Sequence, residues 1–207
     1  EMWYVVDSEP GSYLYCGLSR DASKEEILER INNNTITDIL NKIEVKAGDV
    51  VMVKAGTIHA IGAGVFICEI QQNSNCTYRM YDYDRRDKFG NPRELHVKKA
   101  LDVVDNHKYI KDNKTEVVIA RNEHFTEERL VQCKYFEVYK YDVNDEAKIT
   151  VDEASFVSVL FINGSGTIET DDYEKTMEFK AGDSFFVSAG LRSIIVKGQA
   201  TMVVTRV

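Results

Sequence analysis

One histidine stands apart by its position in an internal repeat. Residues 46–64 read KAGDVVMVKAGTIHAIGAG and residues 180–198 read KAGDSFFVSAGLRSIIVKG, with nine of nineteen positions identical and no gap, where chance gives about one. His59 in the first copy corresponds to Ser193 in the second. An imidazole nitrogen is a good ligand for a divalent transition metal, and a serine hydroxyl is a poor one. His59 is therefore either a metal ligand at the mouth of a β-structure or a histidine satisfied within a core or turn. Downstream, Glu69-Ile70-Gln71-Gln72-Asn73-Ser74 places polar residues at the end of an apolar run. Alternation sets Glu69 and Gln71 on one face, where either could orient a metal-bound imidazole, or where the strand end simply meets solvent. Arg85, Arg86 and Lys88 could meet an anion at a pocket rim, although a charge run is most often a solvated loop. No Ser, Cys and His arrangement suits a nucleophile, so covalent catalysis has no support.

The elements that must hold these residues are mostly strands. Apolar and β-branched runs recur at 2–6, 12–18, 49–53, 64–71 and 77–83, then at 116–120, 136–143, 155–162, 166–170, 184–188, 192–196 and 200–207. Gly, Asn and Asp punctuate them, as expected of an antiparallel sandwich or barrel and not of alternating βαβ units. Helix is confined to short pieces. Ser23 and Glu26 form a capping box opening a helix over 22–33. Ile36, Ile39, Leu40 and Ile43 predict a second over 35–43, and 96–105 could form a third. Residues 82–94, with Gly90, Asn91 and Pro92, read as an exposed loop. The repeat, a Lys-Ala-Gly-Asp turn, a strand, an Ala-Gly turn and a second strand, implies two tandem β-domains. The boundary falls within 104–115, giving domains 1–108, with a helical insert at 22–43, and 109–207.

Composition removes whole classes of function. The 207 residues are 43% hydrophobic with two prolines, enough to bury on the order of 70% of the unfolded surface. No apolar run nears the ~18 residues that span a bilayer, and no basic, then apolar, leader opens the chain. Twenty-six Lys and Arg against thirty-four Asp and Glu give a net charge of −8, which argues against a nucleic-acid partner. Cys16, Cys68, Cys76 and Cys133 are widely spaced and contain no CxxC pair. They suit a reducing cytoplasm better than a disulfide framework or zinc ribbon, with Cys68 a small core residue.

The pattern Gly48-x5-Lys54-Ala-Gly56-x2-His59 resembles the second cupin motif, with Lys54 at its usual proline. Cupins are double-sheet jelly rolls. Over 55–103 the elements Gly-Thr-x-His-Ala-Ile-x-Ala-Gly, Glu-Ile-Gln-Gln-Asn-Ser, Tyr-Arg-x-Tyr-Asp and Arg-Glu-Leu-His occur in order. Together they are similar to type I mannose-6-phosphate isomerases of the short bacterial kind, and the end of the chain resembles that family's degenerate C-terminal cupin. The resemblance implies an all-β fold of two tandem cupin domains with a few short helices. It also implies one Zn2+ held by a glutamine, a histidine, a glutamate and a second histidine. Glu1, heading Glu1-Met2-Trp3-Tyr4, resembles the ligating glutamate, and His59 the last histidine. The Gln-x-His-Pro segment that supplies the other two has no match here, so the resemblance is to a family member truncated at its N-terminus.

Arg79, in Tyr78-Arg79-Met80-Tyr81, matches an arginine that the family places in its active site. Its role would be to stabilise negative charge as a proton moves between C1 and C2 through an enediol(ate). Taken without the resemblance, Arg79 is a strand residue paired with Asp82 or Asp84. Arg93 and His96 match the Arg-Glu-Leu-His pattern without a chemical step. The implied reaction interconverts mannose 6-phosphate and fructose 6-phosphate. The alternative is a non-catalytic bicupin that binds a sugar phosphate or acts as a structural module. Strand edges left open in an incomplete first barrel would favour self-association.

Overall fold

Apolar runs become strands here wherever alternation lets every second side chain reach a core. A computed structural model describes residues 1–111, 117–170 and 176–207. The chain separates into two units, Glu1–Lys111 and Asp112–Val207. The first contains β1 (Met2–Ser8), β2 (Tyr13–Leu18), β3 (Leu40–Glu44), β4 (Val50–Met52), β5 (His59–Ile61) and β6 (Val65–Ile70). These form two three-stranded antiparallel sheets, ordered β4-β1-β6 and β3-β2-β5. Trp3 and Val5 of β1 and Val51 of β4 pack against Leu14 and Cys16 of β2, so the core lies between the two sheets.

Helix α1 (Lys24–Asn32) begins at Ser23, whose hydroxyl accepts the Glu26 amide at 3.1 Å. Its Ile27 and Ile31 are buried with Leu18, Met80 and Ala100, the last on α2 (Val97–Val103). Each such isoleucine contributes roughly 1.5–3 kcal/mol of apolar burial. Gly56 lets the end of α2 approach the turn before β5. It has φ +84, and a Cβ there would lie 2.7 Å from the Val103 carbonyl oxygen. Its own carbonyl accepts the Asp105 amide at 2.9 Å.

The second unit contains β7 (Val117–Arg121), β8 (Phe125–Gln132), β9 (Glu137–Val143), β10 (Glu146–Val151), β11 (Val157–Thr170), β12 (Thr176–Lys180), β13 (Ser184–Val187) and β14 (Arg192–Arg206). All pairings are antiparallel, and β14 bonds β9, β10 and β11. Strand β10 buries Ala147, Ile149 and Val151 and exposes the residues between them. These join Phe161, Ile168, Ile194, Val196 and Met202 in one core, where Phe161 stacks on Phe179 with centroids 3.7 Å apart.

The repeat has the same turn in both units. The Lys46 amide donates to Asp49 Oδ2 at 2.9 Å, and the Lys180 amide to Asp183 Oδ2 at 2.9 Å. Gly48 and Gly182 sit at φ +92 and +90, a region where a side chain costs energy.

Four expectations are corrected. Residues 35–43 form a 3-10 turn, Ile36–Ile39, followed by β3. A nine-residue helix is marginal alone, and pairing Leu14 with Ile43 and Tyr15 with Lys42 gives this segment a ladder instead. Residues 77–83 are not a strand. They bend into a turn where Tyr83 and Asp84 have φ +57 and +49, so Arg79 is not a cross-sheet residue. The runs 155–162 and 166–170 are one strand, β11, and the runs 192–196 and 200–207 are one strand, β14. Strands β3, β5, β8, β10 and β12 are additional to the apolar runs singled out in the sequence.

Candidate functional site

The Glu1–His59 pair links the two sheets of the first unit, Glu1 standing before β1 of one and His59 on β5 of the other. Glu1 precedes β1 and is tied to the residue after β4: its carbonyl accepts the Val53 amide at 2.8 Å, and its nitrogen donates to the Val53 carbonyl at 3.0 Å. His59 opens β5, opposite Cys16 of β2. Its ring meets Trp3 edge-to-face, with centroids 5.4 Å apart, and Trp3 is 1% exposed. The imidazole is thus oriented by an indole fixed in the core.

Its second anchor sets the tautomer. His59 Nδ1 lies 2.8 Å from the Thr57 carbonyl, which can only accept, so Nδ1 carries the proton. Nε2 then presents a lone pair toward Glu1 Oε1, 3.1 Å away. Glu1 Oε1 is buried and receives no hydrogen bond. Two lone-pair donors face each other, and they call for a cation, either a second imidazole proton or a metal. A zinc ion fits this pair chemically: ligands ~2 Å from a tetrahedral ion stand roughly 3.3 Å apart. Among the described residues no three His, Cys, Asp or Glu side chains converge as a metal shell. The pair therefore fits two positions of a four-coordinate site. Glu69, opposite Trp3 on β6, lies on the same side as Glu1. Burial first, and the Glu1 carboxylate second, hold its carboxyl above the usual range.

Beside the pair is a cavity of about 470 Å³, lined by Glu1, His59, Gln71 and Arg79, with Asp82, Arg85 and Arg93 along one wall. Asp82 is the hub of that wall. Its side chain is 7% exposed; it pairs with Arg85 through Oδ1 and lies 3.5 Å from Arg93. The Arg85 hydrogen bond first, then the charges of Arg85, Arg93 and Arg79, keep its carboxyl below the usual range. Arg85 and Arg93 thus share one carboxylate, and Arg79 adds a third guanidinium to the same lining, leaving a net positive wall suited to a dianion. Among the described residues no carboxylate ion-pairs with Arg79.

Of the residues picked out in the sequence, Glu1, His59, Arg79, Gln71, Arg85 and Arg93 all line this cavity. Arg86 turns to Asp84 and Lys88 to the Phe89 ring. Glu69 is not in the lining. The sequence reading offered Asp82 to Arg79; the structure gives it to Arg85 and Arg93. Thr57, Tyr81, Tyr83 and Cys76 also line the cavity and were not singled out. For Tyr81 and Tyr83 the signal was present in the tyrosine-rich run itself.

Residues 126–207 match the family described as mannose-6-phosphate isomerase, cupin domain. The chain is 39% identical to YvyI and 32% identical to the mannose-6-phosphate isomerase ManA, both of Bacillus subtilis strain 168. These matches cover 100% and 99% of this chain but 64% and 63% of the relatives' own lengths. The crystal structure of the mannose 6-phosphate isomerase from Bacillus subtilis aligns with a TM-score of 0.89 at 36% identity, over 100% of this chain and 64% of that one. The apo form of the Salmonella typhimurium enzyme, at 12% identity and a TM-score of 0.67, over 99% of this chain and 65% of that one, shares the fold. The chain spans just under two thirds of the relatives it matches; it has a cupin jelly-roll fold, its residues 126–207 match the cupin domain of mannose-6-phosphate isomerase, and along its whole length it is similar to proteins of that name.

Proposed function

We propose that the first unit carries the reaction centre of an aldose–ketose isomerase interconverting mannose 6-phosphate and fructose 6-phosphate. The observation that carries this reading is the convergence on one guanidinium-rich cavity of the Glu1–His59 pair and of Arg79, which has no carboxylate partner among the described residues. In the reaction a proton leaves C2 and returns at C1 (or the reverse), and negative charge develops on the sugar oxygens. A guanidinium held without a carboxylate partner stabilises that charge better than one already neutralised. Arg85 and Arg93 suit the phosphate group, and Asp82 holds them in place through charge-assisted bonds. Asp82 is itself a poor proton acceptor, because the arginines keep it ionised. Glu1 and His59 would hold Zn2+, which when bound supplies Lewis-acid polarisation of the substrate's oxygens. The four cysteines, all free, suit a reducing cytoplasm, and open strand edges in the first unit suit weak self-association.

A second reading, sugar-phosphate binding without turnover, is favoured by the two-donor count at the metal position. One experiment separates the two: zinc content and coupled isomerase activity measured on the same preparation, with Arg79→Ala as the variant. The isomerase reading expects turnover to fall at least ~100-fold, about 2.7 kcal/mol of transition-state stabilisation, with zinc content unchanged. Turnover that is indifferent to Arg79→Ala refutes the role given to Arg79, and substrate binding without any turnover selects the second reading.

A further inference from the structure

The residue that bears the proposed transition-state charge sits on a segment with little to hold it. Residues 71–83 lie outside every strand and helix, so Arg79 has no ladder partner on either side. Both of its backbone polar groups nevertheless have a partner, and it is the same residue. The Arg79 amide donates to His96 Nδ1 at 3.3 Å, and the Arg79 carbonyl accepts the His96 amide at 2.6 Å. His96 is in turn fixed by α2. It is the residue immediately before that helix, its carbonyl accepts the Ala100 amide at 2.9 Å, and Ala100 is buried in the same core as Met80. Its side chain caps no helix amide, so Nδ1 is free to serve Arg79. Accepting at Nδ1 requires the proton on Nε2, the nitrogen 3.9 Å from the Glu94 carboxylate.

We infer that His96 is a positioning residue for the isomerase reaction: its Nδ1 and its amide clamp the Arg79 peptide to the start of α2 and so aim the guanidinium into the cavity. The inference rests on the isomerase reading of that cavity. It gives a task to the last part of the Arg-Glu-Leu-His motif, while Arg93, at the other end, reaches Asp82. The chemistry is specific. The clamp needs an acceptor one bond beyond Cγ, which asparagine Oδ1 supplies and phenylalanine does not. Phenylalanine, in contrast, keeps the ring that lies 6.4 Å from Tyr78.

His96→Asn and His96→Phe therefore separate hydrogen bonding from packing. Exchange of the Arg79 amide, followed by NMR on this chain, needs no activity. It is expected to accelerate about ten-fold in His96→Phe, the loss of one net hydrogen bond, and to stay within about two-fold of the parent in His96→Asn. In the protein carrying this chain, His96→Phe is expected to lower kcat by roughly 10–100-fold with KM changed by less than about three-fold. A misaimed group loses mainly the interaction made in the transition state. His96→Asn is expected to recover most of kcat. Protection retained in His96→Phe, or lost in His96→Asn, overturns the clamp. If the unsubstituted protein turns over no sugar phosphate, the isomerase reading fails, and the exchange measurement still decides whether His96 holds Arg79.

Discussion

Trp3 is the only tryptophan in the chain and packs on the His59 ring, so it reports what happens at the Glu1–His59 pair. A zinc ion there would put a divalent charge on the imidazole that packs edge-to-face with the indole. The expected affinity follows from the donor count. Full four-ligand structural zinc sites are worth ~10–16 kcal/mol. Half of that shell gives about 5–8 kcal/mol, a Kd between roughly 1 and 200 µM. His59→Ala leaves one carboxylate, about 2.5–4 kcal/mol, so its Kd should lie at roughly 1 mM or weaker. Titrating the apo chain with zinc while recording Trp3 emission should give a saturable change in the parent and none below millimolar zinc in His59→Ala. Glu1→Gln should weaken binding similarly. Micromolar binding retained in His59→Ala, or saturation that leaves Trp3 emission unchanged, would refute the assignment of this pair as metal donors.

Two further outcomes test the structure away from that pair. Cys76 is exposed in the cavity wall, whereas Cys16 and Cys68 are buried and pushed up to about 11 by desolvation. A thiol reagent at mild alkaline pH should label Cys76 first and more slowly when mannose 6-phosphate is present; rapid labelling of Cys16 or Cys68 in the folded chain would contradict their burial. In the second unit the Asp145 hydrogen bond, and then its charge, hold the His124 imidazolium above its ordinary range, while His124 holds Asp145 below its own. The raised histidine stabilises the fold below about pH 6.5 and the lowered aspartate does so above about pH 4. The melting-temperature gap between parent and His124→Gln should therefore be widest between those limits and close as the pH rises through the elevated histidine pKa. A gap that grows in alkali would invert the sign.

How much of the fold could be read from the sequence depends on what glycine was taken to mean. Asn163-Gly164-Ser165-Gly166 and Lys197-Gly198-Gln199 look like turns between short strands. They lie instead inside the paired strands β11 and β14, where the partner backbone leaves no room for a side chain. Gly164 pairs with Ala200 and Gly166 with Gly198, and a Cβ at Gly164 or Gly166 would lie 1.9 Å from a carbonyl of the partner strand. The same residue type serves a tight turn and a tight approach, and only the partner strand distinguishes them. The Lys-Ala-Gly-Asp turns raised no such ambiguity, because there the aspartate folds back on its own segment and the whole motif is local.

The site divides along the same line between local and distant causes. His59 was visible because a repeat supplied its own control, the serine at 193, and Thr57, which sets its tautomer, lies two residues away. Arg79 was visible as a residue, but its support was not. A seven-residue run rich in tyrosine reads as strand, and a strand would be held by its neighbours in a sheet. Its backbone bonds instead go to His96, seventeen residues on, and Asp82 bonds Arg85 and approaches Arg93 across the charged loop 82–94. A segment freed from sheet pairing can shape a cavity wall, because consecutive side chains need not alternate. Arg79, Tyr81, Asp82 and Tyr83 line one cavity here, which the strict alternation of a strand would forbid. That freedom leaves the backbone of Arg79 in need of an external tie, and a histidine at the start of α2, able to bond through both its amide and its ring, meets that need.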